Sequence, residues 1–397
     1  MQTETNLPFT KYFFNFSIAF VLALSTVPFT HAFAQGITPP GTLLCAPGFF
    51  TEMPTQCNQL SLTDGGVQDK YGFSILNNTA PTQYKRPDPM LNVLDTKYYL
   101  IDKNTGTQFY PSIDAAREKT GAVTVISPGD LIYVVYNERI DTEKGTFFLL
   151  PNGLYMPGDG STVTVATPFP GIEITTQPTH PFGFVFTQVN IYPYPNETYA
   201  SRAIGQMAPV GTEYPVVEIF ATMRIKGENW HMIGPNQWVP GRGVAMVTPK
   251  TSAPEGVPGK DWIDVDLAEQ SLAVYQDNTL IYATVMASGA EPLFTRPGLF
   301  QVYEKKASET MTGERNTSNF YYLENVPWTM YFDKARALHG AYWRARLGFP
   351  QSHGCVNLYP GDAHWLFNWA EVGSWVNVYD STGKTPTDPK FYGDGGA

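Results

Sequence analysis

The sequence predicts a mostly β protein, and three observations carry that expectation. Of 397 residues, 35 are Gly and 33 are Pro, 14% are aromatic and only 16% are charged. Many turns and many ring-bearing side chains favour short strands over long helices. Apolar and polar residues alternate with period two from residue 263 onward: Ile263, Val265 and Leu267 fall on one face, Asp264 and Asp266 on the other. Turn signals separate these runs, first at Asp277-Asn278 and again at Thr295-Arg296-Pro297-Gly298. The length allows two or three domains, and a hydrophobic content of 43% supplies real cores. A net charge of −10 argues against nucleic acid, or an anionic wall polymer, as an electrostatically captured partner.

Residues 1–34 read as an export signal. Lys11 precedes an apolar run from Tyr12 to Val27, and Ala32-Phe33-Ala34 supplies a small-residue cleavage site before Gln35. Asn15 and Ser17 interrupt the run, which is short for a membrane span, so cleavage is favoured over an uncleaved anchor. No later segment is apolar enough to cross a membrane, and the expected location is secreted or in the cell envelope. Residues 35–64 are irregular and rich in Pro and Gly. They hold Cys45 and Cys57, two of the three cysteines, and in an oxidising compartment these are expected to form a small disulfide loop.

Two β-rich segments follow, at 65–168 and 182–250. The first contains the strand-like run Asp130–Tyr136 and then Phe147–Gly158. The second contains Pro215–Thr222 and then Trp230–Gly241. Each of the later stretches reads as a strand, a Pro-Asn turn, an aromatic strand and a Pro-Gly exit. The pair therefore looks like diverged copies of one unit, or two unrelated hairpins with similar turn chemistry. The 182–250 segment resembles a bacterial SH3-like barrel, and 65–168 is a poorer match to the same module.

Residues 251–260 read as a Pro/Gly linker, and 261–380 as a further domain opening in a β-meander: Ile263–Leu267, then Leu272 and Val274, then Leu280–Met286. Trp328–Leu338 is expected to run as one strand into His339. Asp362 is expected to cap a helix whose Ala363, Leu366, Phe367 and Ala370 share a face; Gly373 stops it, and Trp375–Tyr379 returns as a strand. Residues 381–397 are expected to be a disordered tail. A fragment of about residues 255–385 is expected to fold alone.

Chemistry concentrates at Ser352-His353-Gly354-Cys355-Val356-Asn357-Leu358, with His339-Gly340 upstream. A thiol beside one histidine and within folding reach of another is what nucleophilic thiol catalysis needs. Backbone N–H groups hold the oxyanion. Cys355 is the odd cysteine of an exported chain, hence a candidate reactive thiol rather than only a buried small hydrophobe.

The stretch Leu338-His339-Gly340-Ala341-Tyr342-Trp343 through Gly348-Phe349-Pro350-Gln351-Ser352-His353-Gly354-Cys355-Val356-Asn357-Leu358 closely resembles the signature of the L,D-transpeptidases, the YkuD-type catalytic domain. The likeness extends over roughly a third of the chain. The resemblance implies a mostly-β sandwich at 261–380, with Cys355 as nucleophile and His339 as base, His353 being the less favoured alternative. It also implies that Ser352, Gly354, Gly340, Asn357 and Trp343 support the substrate or the oxyanion, the N–H groups of Gly354 and Cys355 among them. Gly340 and Gly354 are expected to leave room for a substrate backbone. Many family members carry Arg where this chain has Asn357, and some place Ser where it has Gly340, so the third group orienting His339 is expected to be a backbone carbonyl or an unassigned side chain. Asn357 is expected to hold the loop or a substrate carboxylate. The implied partners are peptidoglycan stem peptides as acyl donor and acceptor, with no cofactor, since thiol and imidazole supply the proton and electron-pair chemistry.

Three rival readings exist. A zinc site of Cys355, His339 and His353 lacks any accompanying metal-ligand spacing. A papain-like wall peptidase would place its Cys before its His, whereas here His339 comes first. A non-catalytic wall-binding protein carried by the SH3-like units would tolerate decay of the motif, which is intact.

Non-reducing peptide mapping of exported protein should recover Cys45 joined to Cys57 with Cys355 free. Reducing that short loop should remove no more than about 2–3 kcal/mol and leave the 261–380 domain folded. Cys355 found mainly in a bridge would contradict its reading as a resting thiol.

Overall fold

Asp277 and Asn278 both lie at positive φ, 52° and 60°, so the expected turn is a tight two-residue hairpin with the twist that adjacent strands require. It joins Ser271–Gln276 to Thr279–Val285. In this computed structural model the described residues are 67–68, 74–75, 83–158, 167–195, 202–211, 213–234, 236–313 and 319–393. The expected export signal, its cleavage site and the Cys45–Cys57 loop lie outside them.

The meander is the centre of a seven-stranded sheet. Its order is Gly298–Gln301, Trp375–Tyr379, Trp262–Asp266, Ser271–Gln276, Thr279–Val285, Ile172–Ile174 and Tyr84–Lys85. A second sheet runs Val356–Leu358, Arg336–Gly340, Tyr321–Asp333, Leu131–Tyr136 and Lys97–Leu100, with Glu304–Gly313 also paired to Tyr321–Asp333. Alternation decides how they pack. Ile263, Val265, Leu272 and Val274 from the first sheet meet Met330, Leu338, Val356 and Leu358 from the second in one buried cluster. This is a sandwich of two inward apolar faces.

The helix Pro360–Trp369 lays Ala363 and Leu366 into the same cluster. Asp362 does not cap it. The N-cap is Tyr359, Pro360 opens the first turn, and Asp362 sits buried inside that turn. Its Oδ1 accepts a 2.6 Å bond from the Tyr282 hydroxyl. Burial pushes its carboxyl up to about 7. The helix ends at Trp369, before Gly373. The single strand expected over Trp328–Leu338 is two strands, Tyr321–Asp333 and Arg336–Gly340, joined by a turn with Lys334 at φ 51°. Asp333 closes that turn by accepting from Arg336 at 3.1 Å, and it also pairs with Arg296. Apolar patterning continues through the turn, which is why the sequence hides it.

Strands pair across the expected boundaries at 168 and 250. Tyr321–Leu323 pairs in parallel with Leu131–Tyr133, and Ala283 and Tyr282 pair with Ile172 and Glu173. The Tyr98 ring stacks on Tyr342 at 3.7 Å, and its hydroxyl donates to Asn325 O at 3.0 Å. The Tyr214 and Tyr359 hydroxyls bond at 2.7 Å. Phe186 lies against Gly348, where a Cβ would come within 2.5 Å of its ring. The tail also departs from expectation as far as residue 393: Tyr392 is buried, the Arg336 guanidinium lies 5.3 Å over its ring, and Lys334 Nζ donates to Gly393 O at 3.1 Å. An aromatic side chain with a cation to cover outweighs a polar, Pro/Gly-rich context.

These shared sheets reverse the expectation for the 255–385 fragment. It would expose the Thr279–Val285 and Tyr321–Leu323 edges together with the Tyr342 and Tyr359 rings, and unpaired apolar edges associate. Compared with the chain from residue 83, the fragment should melt at lower temperature and self-associate on gel filtration. A monomeric fragment with an unchanged melting temperature would show that the upstream strands add no stability.

Candidate active site

His339 lies on the strand Arg336–Gly340, and Cys355 lies in the bend just before its parallel neighbour Val356–Leu358. Leu338 pairs with Val356, His339 with Asn357 and Gly340 with Leu358. Side chains alternate along a strand. Leu338, Val356 and Leu358 enter the core, so His339 and Asn357 take the opposite face together, and Cys355 directly precedes the strand that carries Asn357.

The His339 ring is held on both nitrogens. Nδ1 lies 3.3 Å from Gly340 O, and Nε2 lies 3.1 Å from Asn357 Nδ2. A carbonyl can only accept, so Nδ1 carries the proton and Nε2 presents its lone pair. The backbone carbonyl expected as the orienting group is thus that of Gly340. The Trp343 ring covers the imidazole at 5.7 Å. Gly340 itself leaves no room for a substrate. A Cβ there would stand 2.9 Å from Pro327 Cγ and 3.2 Å from Pro360 Cα. That packing explains Gly at a position where Ser was an alternative.

The loop before the thiol is built from hydrogen bonds. Ser352 Oγ donates to Cys355 O at 2.5 Å and accepts from Gly354 N at 3.1 Å. Gly354 N–H is therefore engaged by Ser352 in this structure. Gly354 has φ 117°, in the region that favours glycine, and its missing side chain makes room for Arg336 Nε. Thr295 Oγ1 donates to Gly354 O at 2.9 Å and accepts from Gly289 N at 2.8 Å. Ser288 O takes the N–H groups of Gln351 and Ser352, while Gln270 bonds the Ser288 N–H and hydroxyl. His353 is half-buried with its ring 4.9 Å from that of Tyr321.

Electrostatics set the resting state. Cys355 is 8% exposed and His339 2%. Burial pushes the thiol up to about 11, against smaller pulls downward from the Ala337 N–H and the Arg336 charge. Burial also pulls the imidazole down to about 4, helped by Arg344 and opposed by its bond to Gly340 O. Both groups therefore rest neutral near pH 7. The thiol's hydrogen bond goes to Ala335 O at 3.7 Å. No group of His, Cys, Asp and Glu fit to hold a metal occurs among the described residues.

Sequence reasoning missed Thr295, Arg336 and the Gln270–Ser288 pair. Thr295 read only as part of a turn, and each acts across a long stretch of chain that no local pattern encodes. Asn357 was singled out, but its bond to His339 depends on strand register.

The neutral thiol and the imidazole of fixed tautomer both lie in the part of the chain that a family model covers. The model of the YkuD L,D-transpeptidase catalytic domain matches residues 260–378. No curated protein matches the chain. Among solved structures, an Enterococcus faecium L,D-transpeptidase is 28% identical, with 30% of this chain and 50% of that one covered and a TM-score of 0.29. An L,D-transpeptidase from Stackebrandtia nassauensis is 25% identical, covering 33% of this chain and 60% of that chain with a TM-score of 0.27. One from Mycobacterium smegmatis is 16% identical over 55% of this chain and 93% of that one, with a TM-score of 0.29. The chain thus spans 50% and 60% of the lengths of the first two.

A thiol near 11 is ionised to only about one part in ten thousand at pH 7. Alkylation of Cys355 by iodoacetamide in the free protein should therefore be slow at pH 7 and rise about tenfold per pH unit up to pH 10. A plateau below pH 8 would show a pre-ionised thiolate instead.

Proposed function

We propose that the chain is an exported L,D-transpeptidase that cross-links peptidoglycan stem peptides through a Cys355 thioester. The observation that carries this reading is the family-model match over residues 260–378, within which the strand register pairs His339 with Asn357, two residues past Cys355. Export rests on the sequence of residues 1–34, and the SH3-like character of 182–250, with any wall-binding role, belongs to the same proposal.

The proposed chemistry starts from the neutral pair. Rotation about χ1 turns the Cys355 S–H from Ala335 O toward the imidazole. Once the Asn357 N–H has left the Nε2 lone pair, His339 takes the proton there, and the sulfur lone pair attacks the carbonyl carbon on the L-centre of the third stem residue. The Arg336 charge favours the thiolate as it forms, against the burial that keeps the resting thiol neutral. The Cys355 N–H is the remaining candidate from the motif for the oxyanion, because Ser352 occupies that of Gly354. Collapse of the tetrahedral adduct breaks the bond to the terminal D-Ala, whose nitrogen receives the proton from His339. The side-chain amine of a second stem then attacks the thioester, passes its proton to His339 and releases the thiol. Water as acceptor would give carboxypeptidase activity, a free D-amino acid exchange, and a protein amine tethering to the wall.

Purified chain incubated with tetrapeptide muropeptides should yield cross-linked dimers by mass spectrometry, and a carbapenem should add covalently at Cys355. Cys355→Ala should abolish both, and Cys355→Ser should retain less than about a thousandth of the activity, because a hydroxyl is far harder to ionise. Turnover by the Ala variant would overturn the mechanism.

A further inference from the structure

Away from the thiol, a cavity of about 480 Å³ opens where the hairpin of Ala221–Ile225 and Glu228–Gly234 meets Ala268, Glu269 and Lys384. Pockets that hold small ligands run from about 300 to 1,000 Å³. Its one fully buried polar side chain is His231, 1% exposed. Nδ1 lies 2.9 Å from Thr222 Oγ1. Nε2 stands beside Gly241, where a Cβ would come 2.8 Å from it, and Gly241 also lines the cavity. Nε2 has no hydrogen-bond partner among the described residues. Burial pulls the imidazole down to about 4, so the ring is neutral at pH 7. The Thr222 hydroxyl can donate to Nδ1, which leaves the ring proton on Nε2 and offers that N–H to the cavity.

The charges around the ring are unequal. Arg224, Lys226, Arg242 and Lys384 line the cavity against Glu228 and Glu269. Glu228 is taken by Arg242 at 3.2 Å. Burial and the neighbouring Asp266 charge push the Glu269 carboxyl up to about 7, so it is about half protonated at neutral pH. Arg224 and Lys384 are exposed and form no ion pair among the described residues. The chain-wide charge of −10 therefore does not describe this cavity.

We infer that this cavity binds a phosphate-bearing ligand. Two uncompensated cations and a neutral N–H converge there. A phosphate, with up to two negative charges and several acceptor oxygens, answers all three at once. A carboxylate carries one charge on two oxygens and would leave a cation unanswered. Phe186 and Val244 supply an apolar wall for the organic part of a phosphate ester. The site stands apart from the thiol chemistry and does not rest on the transpeptidase reading.

The test is binding by the full chain at pH 7, in buffers matched in ionic strength with sodium chloride. Isothermal titration calorimetry with inorganic phosphate and with glycerol 3-phosphate should show one saturable site. Nitrogen-15 NMR should show His231 with its proton on Nε2, and that signal should move as the site fills. Arg224→Ala combined with Lys384→Ala should weaken binding of both probes at least about tenfold, the scale of losing charge-assisted bonds. Both side chains are exposed, so the double variant should fold. Poly(glycerol phosphate) separates the sources. Affinity per phosphate at least about tenfold above that of glycerol 3-phosphate would identify a polymer, and equal affinity a free ester, and either supports the site. Absence of saturable binding, a His231 signal that stays in place at saturation, or a double variant that binds like the parent would each overturn the inference.

Discussion

The site depends on one pairing, the parallel register of Arg336–Gly340 against Val356–Leu358. A slip of one residue would turn His339 into the core and Leu338 out of it, because the side-chain period is two. The apolar demand of Leu338, Val356 and Leu358 therefore fixes the geometry of the polar face. The chemistry is aligned by hydrophobic burial on the reverse of the same strands, not by direct attraction between the reacting groups.

The second requirement is to hold Ser352–Cys355 against that register. Ser352, Thr295, Ser288 and Gln270 do so with bonds that are nearly all buried and mutually satisfied. A satisfied polar web specifies one arrangement where an apolar loop would permit several. Asn357 Oδ1 and Arg336 Nε stand out against it, as buried polar atoms lacking hydrogen-bond partners beside the base and the thiol.

Much of this was legible in the residues. Alternation gave the meander Trp262–Val285 and its hairpin, because Ile263, Val265, Leu272 and Val274 share one core face and the turn residues tolerate positive φ. The candidate thiol and base stood out by type and neighbourhood. Local signals failed where tertiary partners decide. Asp362 looks like a helix cap until Tyr282 claims it, and Trp328–Leu338 looks continuous until Asp333, Arg336 and Arg296 bind across a turn. Gly340 and Gly354 read as space for a substrate, but the space is filled by Pro327 and Arg336. The upstream segments read as separate modules because periodicity reports which face of a strand is buried, not which strand lies beside it.

The sharing of sheets between the two halves of the chain has a consequence for the time at which order can arise. Tyr98 finds its hydrogen-bond acceptor 227 residues later, at Asn325, and Leu131 pairs with Tyr321. While the chain emerges from a ribosome, the strand Leu131–Tyr136 has no neighbour on that edge until the distant segment has been made. Loop closure over such spans precedes any reward from contact, which slows folding and prolongs exposure of sticky edges. Order in the first half therefore waits on synthesis of the last third, and truncated products or stalled nascent chains would present unpaired aromatic strands to whatever chaperone meets them.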